Sequence, residues 1–223
     1  PEAEACAEYD FWNKRMQRYV RRGSKGIALI DQNSGQPRLK YVFDVADTGG
    51  KRKPYLWQYD EQRHSEAVTS VLEQEYNVSA ELGLAGQLKG IAEAMAAEYW
   101  EQNRQDILGE VIGSALSSLV EEDIAAEYVD AASVSIAYTL LSRCGLAPEL
   151  YFENEEFLSI FDFTTPATVA ALVAAVSDCS EQVLRQIEIV VKTYEREHKQ
   201  ERIEQNERST GNEQADIPAE GRL

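Results

Sequence analysis

The sequence contains little cysteine and histidine, which argues against several kinds of chemistry. Its three cysteines, Cys6, Cys144 and Cys179, lie far apart and form no Cys-x-x-Cys pair. Such a sparse, odd set is typical of reduced, small buried side chains in a cytoplasmic protein. Neither His64 nor His198 has a ligand-type neighbour at helical spacing, so the sequence predicts no His/Cys zinc site.

Long hydrophobic runs are also missing. The most apolar stretch, Val169 to Val176, is short and rich in alanine. A helix that crosses a bilayer needs about 20 predominantly apolar residues, so we expect no membrane span and no membrane partner. No signal peptide is visible, and the opening Pro1 is expected for a fragment that starts inside a domain of a longer protein.

Catalytic motifs are the third absence. The sequence has neither a phosphate-binding glycine loop nor a Gly-x-Ser-x-Gly nucleophile motif. Paired carboxylates such as Glu121-Glu122-Asp123 are expected by chance among 39 acidic residues. The carboxylates between Glu153 and Glu156 suit the start of a helix, where negative charge is stabilised. We therefore expect a protein that is not an enzyme and needs no cofactor.

Negative charge is in excess but is unevenly distributed. The formal charge of −17 would by itself repel the phosphates of a nucleic acid. Between Phe11 and Lys53, however, 11 basic residues are opposed by three acidic ones, a local charge of +8, and the remainder carries −25. Charges are screened over about 8 Å at physiological ionic strength, so the local charge matters more than the sum.

This basic stretch, residues 11–53, predicts a nucleic-acid interface. A row of cations neutralises phosphates, and aromatic rings among them can stack on unpaired bases. Gly23 and Gly26 are expected to shape the turn that carries the row. The alternative is a solvated cationic face over a core that includes Trp12, Tyr19 and Phe43. The predicted contact residues are Lys14, Arg15, Arg18, Tyr19, Arg21, Arg22, Lys25, Arg38, Lys40 and Tyr41.

The spacing of apolar residues predicts an α+β fold, with a small helix-plus-β-hairpin unit followed by an acidic α-helical bundle. Thr165 and Pro166 have the features of an N-cap and a first helical residue, and Gly145 those of a residue that ends a helix. The expected elements are a helix over 2–19, hairpin strands at 27–30 and 38–45, and helices over 60–76, 82–112, 121–144 and 165–198, the last with a break near 177–180 as an alternative.

Composition divides the chain into three parts. Residues 1–57 are the expected DNA-binding segment, truncated at its N-terminus, and residues 58–198 form an acidic helical domain. Residues 199–223 contain almost nothing apolar and are expected to be a disordered tail or linker.

Three motifs follow one another between residues 11 and 57, namely Trp12, RYVRRGSKGI at 18–27 and PRLKYVFDVADT at 37–48. They resemble the Trp helix, the G-x-x-V-x-x-G-E-K-G turn and the V-F-N-V-x-Q-T strand of the N-terminal domain of ArdC-type antirestriction proteins. The resemblance implies single-stranded DNA binding and residence on a conjugative or phage-like mobile element. Ser24 stands where that family has Glu, and Asp44 and Asp47 stand where it has Asn and Gln. The family's metallopeptidase part has no counterpart here.

Two further motifs, LAPELYFE at 146–153 and FDFTTP at 161–166, are similar to a region of very large mobile-element proteins. Those proteins join this region to helicase and adenine-specific DNA methylase modules. The similarity implies that other modules of a larger polypeptide are partners of this chain.

Three functional hypotheses follow. The first is a cytoplasmic, non-catalytic module that binds DNA, preferably single-stranded, and supports DNA processing or antirestriction by a mobile element. In the second, the acidic remainder mimics DNA and occupies a nuclease. In the third, the chain is a scaffold that spaces catalytic modules.

Overall fold

The computed structural model describes residues 4–31, 38–51, 54 and 56–213, without the side chains of residues 30, 31, 38 and 200–213. The chain divides into two units, Pro1–Leu56 and Trp57–Leu223, called here the N-terminal unit and the helical unit. A small antiparallel sheet followed by a helical bundle confirms the predicted α+β class.

The N-terminal unit contains a three-stranded antiparallel sheet, ordered β1-β4-β3, and a two-stranded sheet, β2-β5. The predicted hairpin is present, because β3 pairs with β4 in a register that places Leu29 opposite Lys40. The loop predicted between these strands lies outside the described residues from 32 to 37. The strands are β1 (Cys6–Glu8), β2 (Tyr19–Val20), β3 (Ile27–Asp31), β4 (Arg38–Asp44) and β5 (Thr48–Gly49).

The helix expected over residues 2–19 is wrong in its length. Within the described part of that range, residues 4–19, β1 is followed by the five-residue π-helical turn Phe11–Arg15. The buried Asp44 carboxylate accepts hydrogen bonds from the backbone N–H groups of Glu4 (2.9 Å) and Ala5 (3.3 Å). These contacts hold the chain extended, and Gln17, at φ 53°, interrupts the helix on its other side. Long-range hydrogen bonding therefore overrides the helical spacing of the apolar residues.

The core of the N-terminal unit includes Trp12, of which only 2% is exposed. Its indole Nε1–H donates to the backbone oxygen of Phe43 at 2.8 Å, which joins the π-helical turn to β4. Trp12 is therefore a core residue, as the alternative interpretation of the basic stretch assumed.

The helical unit is built from four α-helices with predictable ends. Asp60 caps the first helix by accepting from the N–H of Arg63, and Thr165 caps the fourth by accepting from the N–H of Thr168. After the third helix, Gly145 (φ 76°) allows a Schellman turn in which the Leu146 N–H donates to the oxygen of Leu141. The helices are α1 (Glu61–Tyr76), α2 (Gly83–Val111), α3 (Glu121–Arg143) and α4 (Pro166–Glu213).

The fourth helix differs from the sequence expectation in two respects. It continues through residues 177–180 without a break, and it extends to Glu213, where a disordered tail or linker was expected from Lys199. Residues 214–223 of that expected tail lie outside the described residues.

The core of the helical unit lies where α2, α3 and α4 meet. Tyr128 is fully buried there, and its hydroxyl donates to the backbone oxygen of Ala171 at 3.1 Å. Among the described residues, two helical segments are long and apolar enough to cross a membrane by length and composition alone, namely α3 and residues 166–199 of α4. About half of the most apolar 18-residue stretch of α3, and about one third of that of α4, is buried within the protein. Core helices of soluble proteins can be equally long and apolar.

Candidate nucleic-acid interface

The turn that follows β2, residues 21–26, is called here the basic turn. Its backbone is anchored because the N–H of Arg21 donates to the oxygen of Asp47 at 2.8 Å and the N–H of Ser24 donates to the oxygen of Arg21 at 3.2 Å. Gly23 has a φ of 91°, in the region that glycine adopts without strain. The turn therefore has a defined shape that depends on a glycine at position 23.

Ser24 and Gly26 add two further contacts to the basic turn. The Ser24 hydroxyl donates to the backbone oxygen of Asp47 at 3.3 Å and so adds a side-chain contact to the anchored turn. A Cβ at Gly26 would lie 3.0 Å from the ring of Phe43 and 3.1 Å from Cβ of Tyr41. Gly26 thus permits a close approach to β4.

Three cations of the basic turn are exposed, namely Arg21, Arg22 and Lys25. Within the described part of the chain, no carboxylate lies within ion-pair distance of any of them. Their positive charge is therefore available to an anionic ligand. Arg15, in the preceding π-helical turn, is exposed as well.

Arg18 corrects the sequence prediction. Only 8% of it is exposed, and its guanidinium donates to Thr48 twice, from Nε to Oγ1 at 2.7 Å and from Nη2 to the backbone oxygen at 3.1 Å. A guanidinium bound in this way ties β2 to β5 and is not presented to a phosphate. Arg18 therefore belongs to the support of the basic turn rather than to its contact surface.

Lys14 and Lys40, two other predicted contacts, are engaged by carboxylates. Lys14 pairs with Asp10 at 2.6 Å, and Lys40 pairs with Glu8 of the neighbouring strand at 2.6 Å. Exposed pairs of this kind contribute only about 0–1 kcal/mol, but they lower the local positive charge. The spacing of four between Asp10 and Lys14 could have been identified from the sequence, whereas the contact of Glu8 depends on the strand register. The side chain of Arg38 lies outside the described residues.

The two predicted stacking residues are both exposed, Tyr19 by 62% and Tyr41 by 49%. The end of the Tyr19 ring rests on Gly49, where an added Cβ would lie 2.7 Å from the ring atoms. Tyr41 and Lys40 are adjacent on β4, so their side chains point to opposite faces of the sheet. Tyr41 therefore does not share a face with the lysine next to it, and Tyr19 is the better placed ring.

Asp44, one of the three acidic residues of the basic stretch, is not a surface charge. Burial would raise the pKa of its carboxyl, and the backbone N–H groups of Ala46, Ala5 and Glu4 outweigh this and hold the pKa below its usual value. Only 9% of Asp44 is exposed, so it presents little charge to a ligand. Its role is to cap the short 3-10 helix Val45–Asp47 and to hold the chain before β1.

The carboxylates of the helical unit are its most abundant charged groups. Glu121, Glu122 and Asp123 occupy the first turn of α3, and Glu121 pairs with Arg104 of α2. In the described ranges, no three His, Cys, Asp or Glu side chains are grouped so that they could hold a metal ion.

No family model, no curated protein and no solved structure matches the chain.

Proposed function

We propose that the chain is a non-catalytic DNA-binding module that prefers single strands and supports DNA processing or antirestriction by a mobile element. The observation that carries the proposal is the set of exposed cations in the basic turn, Arg21, Arg22 and Lys25, which have no carboxylate partner among the described residues and lie close in sequence to the exposed ring of Tyr19.

The distribution of charge supports this proposal. The N-terminal unit has 11 basic and seven acidic residues, whereas the helical unit has 11 basic and 32 acidic residues. Of the seven, Asp44 is buried and both Asp10 and Glu8 are paired with lysines. A DNA strand would thus meet a positive charge that is concentrated at the basic turn.

The preference for single strands rests on Tyr19. Unpaired bases expose their faces and can stack on an aromatic ring, which contributes about 1–3 kcal/mol per base. Bases within a duplex are already stacked on one another. The resemblance of residues 11–57 to an antirestriction N-terminal domain supports the same preference.

The test is a fluorescence-anisotropy titration of the full chain with a labelled 20-nucleotide single strand and the matching duplex at several salt concentrations. We expect single-strand affinity to fall as salt rises, with a log–log slope of about −0.7 per phosphate contacted. Arg21→Glu/Arg22→Glu should abolish most of the binding.

Arg196→Glu/Lys199→Glu is the matched control, because it changes the net charge equally at exposed positions of α4. Binding that is undetectable at low salt, or that both double variants weaken equally, would refute a local site at the basic turn.

The second candidate is an acidic module that occupies the DNA site of a nuclease. It is favoured by the excess of carboxylates in the helical unit, including those in the first turn of α3. Glu122→Gln/Asp123→Asn would weaken such an inhibitor in a nuclease protection assay, whereas Arg21→Glu/Arg22→Glu would not.

A further inference from the structure

The helical unit contains an open apolar groove between α3 and α4, called here the α3–α4 groove. Residues of the 3-10 helix Asn154–Asp162 form its third wall, and its volume is about 440 Å³. This lies within the range of roughly 300–1,000 Å³ that is typical of small-molecule sites. Its lining includes Tyr138, Phe157, Ile160, Phe163, Val169 and Val173.

Three of the side chains that line this groove are exposed although they are largely apolar. Tyr138 is 46% exposed, Val169 is 43% exposed and Val173 is 57% exposed. They lie on the sides of α3 and α4 that the core does not use. An apolar ligand that covered them would remove this area from water, which is favourable.

A second hollow of about 650 Å³ adjoins the α3–α4 groove. The two share Thr139, Val173 and Val176, and the second adds Trp57, Arg143, Ser180 and Arg185 to the lining. The groove is therefore apolar at one end and polar at the other.

A cation is held firmly at the polar end. The guanidinium of Arg143 lies over the ring of Trp57, 3.8 Å from its centroid, and Nη2 donates to the Trp57 backbone oxygen at 3.0 Å. Two contacts with one residue fix the plane of this guanidinium and leave other N–H groups to donate. A cation fixed before binding loses little side-chain freedom when an anion arrives.

The lining of the polar end contains two arginines and two glutamates, Arg143, Arg185, Glu181 and Glu188, so its formal charge is balanced, whereas the helical unit as a whole is strongly acidic. Glu188 is paired with Lys192, which leaves Glu181 as the remaining carboxylate of the lining. Arg143 and Arg185 have no carboxylate within ion-pair distance in the part of the chain that the structure describes.

Ser180 supplies an independent observation. Only 3% of this residue is exposed, and its Oγ has no hydrogen-bond partner among the described residues. A buried hydroxyl without a partner is costly, so such groups usually have one. The Oγ has almost no accessible surface, so it would reach a ligand oxygen at the polar end, which Ser180 lines, once its side chain rotates toward that end.

We propose that the α3–α4 groove binds a fatty acid or a similar acyl carboxylate. The acyl chain of the ligand would lie against Tyr138, Phe157 and Val173. Its carboxylate would accept hydrogen bonds from Arg143, Arg185 and Ser180. This site is separate from the basic turn and does not depend on the DNA proposal.

Isothermal titration calorimetry of the full chain with laurate, below the concentration at which it forms micelles, tests the proposal, and dodecanol is the neutral ligand for comparison. We expect laurate to bind with a stoichiometry of one and at least about tenfold more tightly than dodecanol, since a hydrogen bond to a charged group is stronger than one between neutral groups.

Two exposed positions provide variants that leave the core intact. Arg185→Gln should weaken laurate about tenfold and dodecanol hardly at all, with Arg196→Gln on the same helix as its control. Val173→Gln should weaken both ligands, whereas Ile189→Gln, at a similarly exposed apolar position of α4, should weaken neither.

Three outcomes would overturn the proposal. These are the absence of laurate binding, equal affinity for laurate and dodecanol, and equal losses in the groove variants and their controls. Co-sedimentation with phosphatidylcholine–phosphatidylglycerol vesicles is the second arm. Vesicle binding that Val173→Gln abolishes, without binding of free laurate, would assign the groove to a lipid surface instead.

Discussion

His64 and Glu195 form a hydrogen bond that joins the first turn of α1 to the C-terminal half of α4. Nε2 of the buried imidazole lies 3.2 Å from Oε1 of Glu195. Nδ1 accepts from the backbone N–H of Asp60 at 2.9 Å, so in the neutral ring Nε2 carries the proton and donates it to the carboxylate. The His64 side chain thereby provides an acceptor for the N–H of the capping residue Asp60 and a donor for the Glu195 carboxylate of α4.

Replacing this imidazole should destabilise the helical unit. His64→Phe retains an aromatic ring of similar size but leaves the Asp60 N–H without its acceptor and removes one donor from Glu195, which still pairs with Arg63. We expect the free energy of unfolding to fall by about 1–3 kcal/mol in urea denaturation followed by circular dichroism. His198→Phe is the control because that ring is half-buried and should cost less. Equal stability of His64→Phe and the unchanged protein would contradict a structural role for the pair.

Asp44 should make the stability of the N-terminal unit depend on pH. Its pKa is lower in the folded chain than the unfolded value of about 3.9, because the backbone hydrogen bonds outweigh the effect of burial. The stabilisation is therefore present above the unfolded pKa and is lost as the pH falls through the folded pKa. Amide hydrogen exchange, compared between Asp44→Asn and the unchanged chain, measures this at the Ala5 and Ala46 N–H groups. The protection of these N–H groups should become equal in the two proteins at low pH. A difference that stays constant with pH would contradict a stabilising role for the ionised Asp44 carboxylate.

Two glycine-to-alanine substitutions should have opposite effects on stability. Gly23→Ala places a Cβ on a residue with φ 91°, which should lower the free energy of unfolding by about 1 kcal/mol even though no atom would lie within 4 Å of the added Cβ. Gly109→Ala lies within α2, also in open space, and should add about 0.5–1 kcal/mol through helix propensity. Thermal unfolding that showed the same sign for both would mean that backbone conformation does not decide these effects.

The three cysteines should differ in their reactivity with a thiol reagent. Burial raises the pKa of Cys144 to about 12 and that of Cys179 to about 11, whereas Cys6 is exposed. Because the thiolate is the reactive form, we expect only Cys6 to react quickly at pH 8. Its rate should still be below that of a free thiol, because slight burial, Asp44 and Asp47 raise its pKa. Mass spectrometry after N-ethylmaleimide treatment measures this, and Cys6→Ser should show no rapid labelling.

Tyr19 should contribute to single-strand affinity through its ring and not its hydroxyl. Tyr19→Ala should weaken binding of the single strand by about five- to a hundredfold, while Tyr19→Phe should keep it. Tyr41→Ala should have a smaller effect, because less of the Tyr41 side chain than of the Tyr19 side chain is exposed. An equal loss for the duplex and the single strand in Tyr19→Ala would contradict stacking.

The elements of the helical unit could be predicted from the sequence because their signals are local. Thr165 caps the start of α4 and Pro166 has a φ that suits a first helical residue. Gly145 ends α3 because it adopts a left-handed conformation. The secondary structure at the start of the N-terminal unit could not be predicted in the same way, because the Asp44 carboxylate accepts hydrogen bonds from Glu4 and Ala5, some 40 residues earlier in the sequence. Local spacing contains no information about such a contact.

In the candidate sites, too, features that depend on local sequence could be predicted and features that depend on long-range contacts could not. The exposed cations of the basic turn follow from their polarity, but the burial of Arg18 depends on Thr48, 30 positions away. The α3–α4 groove could not be predicted, because Tyr138 and Val173 have the residue types of a core and only the packing of α3 and α4 leaves them exposed.

The position of β1 has a consequence for where the chain can be shortened. β1 occupies the outer edge of its sheet and pairs with β4 over Cys6–Glu8. The basic stretch begins at Phe11, so a fragment cut at that boundary would lack β1. The N–H and C=O groups of β4 on that side would then be open to pairing with another molecule. Such a fragment should aggregate through intermolecular strand addition, even though every residue of the basic turn is retained.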